Sequence, residues 1–295
     1  KIALGGSRSL DNIITDEDTT LKVLGSLELS RTDSGTSTVG ALEFQQMSPD
    51  PPHLSVSDMG LNIANAAQIN GVSLNMNNGG ELILQNDVTF DNSNVDFSDS
   101  VFKPTGAVSV TNGGFNLHGT SSVVLQGDTT FSQNGDIYWP GLDLNGNSLT
   151  FGGEGANISI VEALNIANGE SLISGSSRLH FDNTLTIANG GELISGTGDV
   201  ILAEPLTLNG ELTQVGGWLA LIGGGTVEDT GRLDLSGSNL WLETDLYITG
   251  TLVSDGLGGG WNGTLDISQG TLEAGGGNMY LGGFITGAGS TLKLS

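Results

Sequence analysis

The chain contains no cysteine, so it has neither a disulfide framework nor a thiolate to act as nucleophile or metal ligand. Cations are nearly as scarce: eight Lys and Arg stand against 33 Asp and Glu, a formal net charge of −25. Nucleic-acid binding and polybasic attachment to a membrane surface both need cations to offset phosphate charge, and both are excluded. No run of about 18 apolar residues is present, which excludes insertion into a bilayer as a helix. Charged residues are only 14% of the chain, against ~25% in an ordinary domain, and good helix formers are few.

What the chain has in quantity is glycine, 48 of 295 residues, with Asn, Ser and Thr filling the polar positions. Hydrophobic residues make up 37%, enough for a large core and too much for a disordered acidic tail. The first residue is Lys1 rather than Met, and no signal-like apolar stretch follows it, which predicts a processed or excised chain.

The order of these residues is periodic. Residues 164–175 read LNIANGESLISG, residues 185–196 read LTIANGGELISG, and LTLNGEL begins at Leu206, so two successive copies are each displaced by 21 residues. Diverged versions include LNMNNGGELIL at 74–84, LDLSG at 233–237 and LDISQG at 265–270. In each unit two apolar residues flank a polar one, as in Leu185-Thr186-Ile187, an alternation that sends both apolar side chains to one face of a strand. Nine Asn-Gly pairs, among them Asn78-Gly79 and Asn189-Gly190, mark corners, because Asn and Gly tolerate positive φ. An antiparallel sandwich also uses short alternating strands but has no reason to repeat one string at a fixed offset. A solenoid does, since like residues then stack in ladders about 4.8 Å apart.

The expected fold is therefore all-β, a parallel β-helix (β-solenoid) of about 21 residues per coil and about 14 coils in an elongated rod. Residues 1–44 alternate without a clear copy of the repeat and are expected to be irregular first coils or an N-terminal cap. Residues 45–58, with three of the six prolines, are expected to leave the coils as a loop excursion, since Pro cannot donate to a ladder. Residues 59–295 then form the solenoid, one continuous domain with 1–44. The stretch 91–104 is a second candidate excursion, and Tyr138-Trp139-Pro140 reads as a loop packed over the coils.

Repeats of the form L-x-[IL]-x-N-G-G-x-L, rich in Asn, Gly, Ser and Thr and free of Cys, resemble bacterial surface proteins of the right-handed β-helix kind, autotransporter passengers and secreted adhesins. The resemblance covers roughly 60–295. It implies an extracellular or cell-surface location and a role in attachment or scaffolding, and it carries over no functional residue. Residues 60–295 themselves hold no membrane-barrel segment of the autotransporter kind, so the resemblance leaves the secretion route open.

Parallel β-helices also include polysaccharide hydrolases and lyases, which need paired carboxylates or a base with cations for an acidic sugar. The eight cations are scattered; only Arg178 lies near a histidine, in Arg178-Leu179-His180, where alternation puts both on an outward face as a solvated pair. No catalytic residue is assigned, and no cofactor is expected beyond weakly bound Ca²⁺, a hard cation that takes oxygen ligands. Its candidate ligands are Asp16 and Asp18, the cluster Asp91, Asp96 and Asp99, and Asn157, which stands where a calcium-binding nonapeptide has Asp in the string GGEGANISI at 152–160. Solvated loop charges are the alternative reading of the same residues.

The aromatics point further. Trp218, Trp241, Trp261 and Tyr280 follow one another at close to one per coil, and flanking leucines turn Trp218, Trp241, Tyr247 and Tyr280 outward; Trp261 lies in a Gly-rich corner. Such a strip is not left wholly in water and is expected to contact a partner protein or stack on sugar rings. The segment 289–295 alternates with no cap after it, which predicts an open end on which the first coil of a second copy stacks, head to tail. Three functions stay open: a structural or adhesive extracellular solenoid that contacts itself, head to tail or laterally, or a cell-surface ligand; a carbohydrate-binding module; and a polysaccharide-degrading enzyme.

Overall fold

The computed structural model describes residues 2–4, 8–10, 18–30, 36–44, 51–153, 155–254, 262–275 and 283–294. Among them the only regular elements are strands of three to six residues, with no helix. Every pairing between these strands is parallel, as a β-solenoid requires. The chain divides into two compact units, Lys1–Asn145 and Gly146–Ser295.

In the unit Lys1–Asn145 each coil contributes to three faces. The first stacks Ser26–Ser30, His53–Ser57, Ser73–Asn77, Asn94–Ser98 and Gly114–His118; the second runs from Thr36–Val39 through Gly60–Ile63, Glu81–Leu84 and Val101–Pro104 to Gly141–Asp143. The third stacks Ala67–Asn70, Val88–Asp91, Gly106–Thr111 and Thr129–Gln133. Two expectations are corrected here. His53–Ser57, inside the proline-rich 45–58, is a strand in register with Ser26–Ser30 and Ser73–Asn77, because its prolines precede it and leave its own N–H groups free to pair. The rest of that stretch up to 50 lies outside the described residues. Likewise 91–104 is not an excursion but holds the strands Asn94–Ser98 and Val101–Pro104; Pro104 ends its strand, where a missing donor costs least. Within residues 1–44, Thr20–Val23 pairs in parallel with Ala41–Phe44.

Between residues 90 and 139 the largely aliphatic interior of this unit holds an aromatic cluster. Phe90, Phe97, Phe102, Phe115, Phe131 and Trp139 are buried, and their rings lie 4.8–6.3 Å apart in tilted or edge-on pairs, the geometry that aromatic quadrupoles favour. Trp139 therefore belongs to the core, in the strand Ile137–Trp139, with Tyr138 turned outward and exposed, and the loop expected there is not formed.

In the unit Gly146–Ser295 the interior is built mainly from Leu, Ile and Val, with Phe151 and Phe181 also buried. Leu164, Leu185 and Leu206 are register partners in Leu164–Ile166, Leu185–Ile187 and Leu206–Leu208, all buried. A second ladder runs Leu149, Leu172, Leu193, Leu212, Leu233, Leu252 and Leu272. Each leucine removed from water contributes roughly 1.5–3 kcal/mol, so the ladder fixes the register as well as the core. The remaining face stacks Asn157–Ile160, Arg178–Phe181, Val200–Leu202, Trp218–Leu221 and Asn239–Leu242.

Corners are closed by two kinds of turn. At Asn77–Gly80 both central residues have positive φ, Asn78 at 50° and Gly79 at 79°, and Gly80 N–H donates to the Asn77 carbonyl at 2.9 Å, a type I′ turn. At the repeated Ala-Asn-Gly corners only the glycine is left-handed: Gly190 has φ 80° and Gly191 N–H donates to the Ala188 carbonyl at 2.8 Å, a type II turn. Corner aspartates also clamp successive coils: Asp199 accepts from the Trp218 N–H at 3.0 Å, and Asp245 from the Thr264 N–H at 2.8 Å.

Candidate functional site

The face carrying Arg178–Phe181 through Asn239–Leu242 buries one set of alternating side chains and turns the other outward. Register makes His180, Ile201, Ala220 and Trp241 one outward column. Trp218 lies beside it, two residues back along its own strand, paired with Asn239. From Ile201 to Trp241 the column is apolar on the wrong side for a core: Ile201 sits between buried Val200 and Leu202 and yet faces out.

These residues shape a hollow of about 270 Å³. Ile201, Ala220 and Ile222 line it with Trp218 and Trp241, and Arg178, Asp199 and Glu243 complete the rim. Trp218 is 40% exposed and Ile222 is exposed, whereas Trp241 is half-buried. The indole centroids are 6.5 Å apart with planes at 66°, so the pair forms a corner rather than a flat strip. Ala220, short and placed between Ile201 and Trp241 in the column, provides the depth.

The polar rim is held in position. Glu243 accepts from Trp241 Nε1 at 2.7 Å and from Asn262 Nδ2 at 2.9 Å, and these two donors, Asn262 foremost, hold its carboxyl below the usual carboxylate range. Asp199 accepts from the Trp218 N–H, and its other oxygen lies 3.9 Å from Arg178 Nε. The rim thus offers a guanidinium donor on one side and carboxylate acceptors on both.

Of the aromatics expected to form one strip, the structure brings Trp218 and Trp241 together. Tyr247 lies on another face, in Leu246–Ile248, half exposed at 50%, with its hydroxyl donating to Asp245 Oδ2 at 3.3 Å. Trp261 and Tyr280 lie outside the described residues. Ile201, Ala220, Ile222, Asp199 and Glu243 were not singled out from sequence, although the unbroken apolar runs Val200-Ile201-Leu202 and Trp218-Leu219-Ala220-Leu221-Ile222 break the alternation and carry that signal.

The candidate cation ligands are dispersed among local partners. Asp91 Oδ1 accepts from Thr111 Oγ1 at 2.9 Å, and Asp96 Oδ1 from Asn116 Nδ2 at 2.9 Å. Asp99 Oδ1 accepts from the backbone N–H and hydroxyl of Thr120, which lower its pKa. Asn157 opens its strand opposite Arg178, Asp18 is exposed, and Asp16 lies outside the described residues. Among the described residues no three His, Asp or Glu side chains converge as a metal-holding group. His180 Nε2 is 3.5 Å from Asp182 Oδ1, on the outward face expected for it.

Compared with known proteins, the chain matches no family model, no curated protein and no solved structure.

Proposed function

We propose that the chain is a non-enzymatic structural or adhesive solenoid of the cell exterior, in which consecutive coils present outward side chains to a partner surface. The observation that carries this reading is the apolar hollow on the Trp218–Leu221 face: a folded interior already filled by leucine ladders has no use for two indoles, Ile201 and Ile222 on its outside. Exposed clusters of this kind on a soluble protein mark interaction sites. The strong negative charge keeps such a glycine-rich β-protein dispersed, and the repeat resembles those of bacterial surface proteins.

Hydrolysis of a polysaccharide is the reading that two carboxylates beside a hollow would otherwise invite. An acid catalyst needs a carboxyl held protonated near neutral pH, and the donors on Glu243 push in the opposite direction. Beads coated with the purified protein are expected to retain bacterial or host cells, and beads carrying the Trp218→Ala protein to retain several-fold fewer. Release of reducing ends from neutral polysaccharides, or equal retention by uncoated beads, would overturn the proposal.

A further inference from the structure

We infer that the hollow between Trp218 and Trp241 is a binding site for a neutral hexopyranose at the end or branch of a glycan. The inference rests on the adhesive reading and names its ligand class. A pyranose ring has one face of C–H bonds and a rim of hydroxyls that both donate and accept, and the hollow is the complement of that shape. Its apolar part is two indoles with Ile201, Ala220 and Ile222; its rim holds the Arg178 guanidinium and the Asp199 and Glu243 carboxylates. With the indole planes at 66°, one ring stacks on a single indole while its edge meets the other. A volume of about 270 Å³ lies just under the ~300–1,000 Å³ typical of drug-sized ligands, which suits one sugar unit and not a long chain lying flat.

Charge narrows the choice. An acidic sugar would meet Glu243 and Asp199 on a chain of net charge −25 and be repelled. An organic cation would be drawn to indoles and carboxylates, but Arg178 already stands at Asp199 and the Glu243 oxygens are engaged by Trp241 and Asn262. A neutral polyhydroxyl ligand can donate to the remaining carboxylate lone pairs and accept from Arg178 without displacing either arrangement. The rim is held by the coils themselves, so little ordering is left to the binding event.

The test titrates the full chain with methyl glycosides of glucose, galactose, mannose and N-acetylglucosamine, with methyl glucuronide and with tetramethylammonium, reading saturation-transfer NMR and tryptophan fluorescence. At least one neutral glycoside is expected to bind with a dissociation constant on the order of 1 mM, and the glucuronide at least tenfold more weakly. Trp218→Ala is expected to abolish binding, as is Ala220→Glu, which fills the hollow without removing an aromatic; Tyr247→Ala, on another face, is expected to leave it unchanged. Circular dichroism checks that each variant keeps its strands, and Ala220→Glu decides if Trp218→Ala does not fold. Binding of no neutral glycoside, binding of tetramethylammonium alone, or sugar binding indifferent to both hollow variants would overturn the inference. Cell retention by a protein that ignores these sugars would also overturn it, while leaving the adhesive reading in place.

Discussion

At the scale of single residues, the corners show how backbone crowding and backbone conformation act separately. Gly190 has φ 80°, so an alanine there carries the left-handed penalty of about 1–2 kcal/mol, and its Cβ would also push aside the Asn168 side chain, which can swing away at small cost. Gly191 has no such φ, yet a Cβ on it would strike the Ile166 carbonyl oxygen and come within 2.8 Å of that of Ala167, backbone atoms of the coil beneath. Gly191→Ala is therefore expected to cost about 2–3 kcal/mol, as overpacking does, and more than Gly190→Ala; urea denaturation of the two variants measures the order. One coil earlier the equivalent position is Glu170, whose carboxylate accepts from the N–H groups of Gly146 at 2.6 Å and Ala167 at 2.7 Å. The carboxylates give a second prediction. Glu273 is lowered by Lys293, Glu243 by Asn262 and Trp241, and Asp99 by Thr120; for Asp234 burial raises the pKa but is outweighed by Ser236 and Arg232. Folded values below unfolded ones mean that the folded state holds fewer protons, so this stabilisation is complete above about pH 5.5, a unit above the unfolded glutamate value, and is lost as pH falls through the unfolded and then the lowered folded values. Carboxyl carbon NMR titration should place these four midpoints below those of the urea-unfolded chain, and Asn262→Ala should raise that of Glu243.

At the scale of strands, one side of each strand sets stability and the other sets what the surface does. Leu193 is fully buried between Leu172 and Leu212 in its ladder, and Leu193→Ala is expected to cost about 2–5 kcal/mol in chemical denaturation. Ile194, next in sequence but turned outward, should tolerate Ser at a cost of about 1 kcal/mol or less. This division was legible in the sequence wherever alternation was clean and the copy close, as at Leu164, Leu185 and Leu206. His53–Ser57 was obscured by the prolines just before it, since composition cannot say at which residue a strand resumes. The aromatic site was only half legible for a geometric reason. Spacing near one coil places two residues on the same face, but register pairs Trp218 with Asn239, two residues short of Trp241, so the indoles meet diagonally. Tyr247 is displaced from Trp241 by a corner, which carries it to another face, and no composition rule gives the position of that corner.

At the scale of the whole molecule, the net charge of −25 governs how readily copies approach each other. Like-charged chains repel, and that repulsion is long-ranged and screened, with a Debye length of about 30 Å at 0.01 M salt and 8 Å at 0.15 M, whereas apolar contact through outward side chains is not. Self-contact of the proposed adhesive solenoid should therefore be weaker at low salt and stronger at physiological salt, rising with protein concentration, and sedimentation velocity measures it. Monomers at every salt and concentration would show that the chain does not contact itself and would leave a cell-surface ligand as its partner.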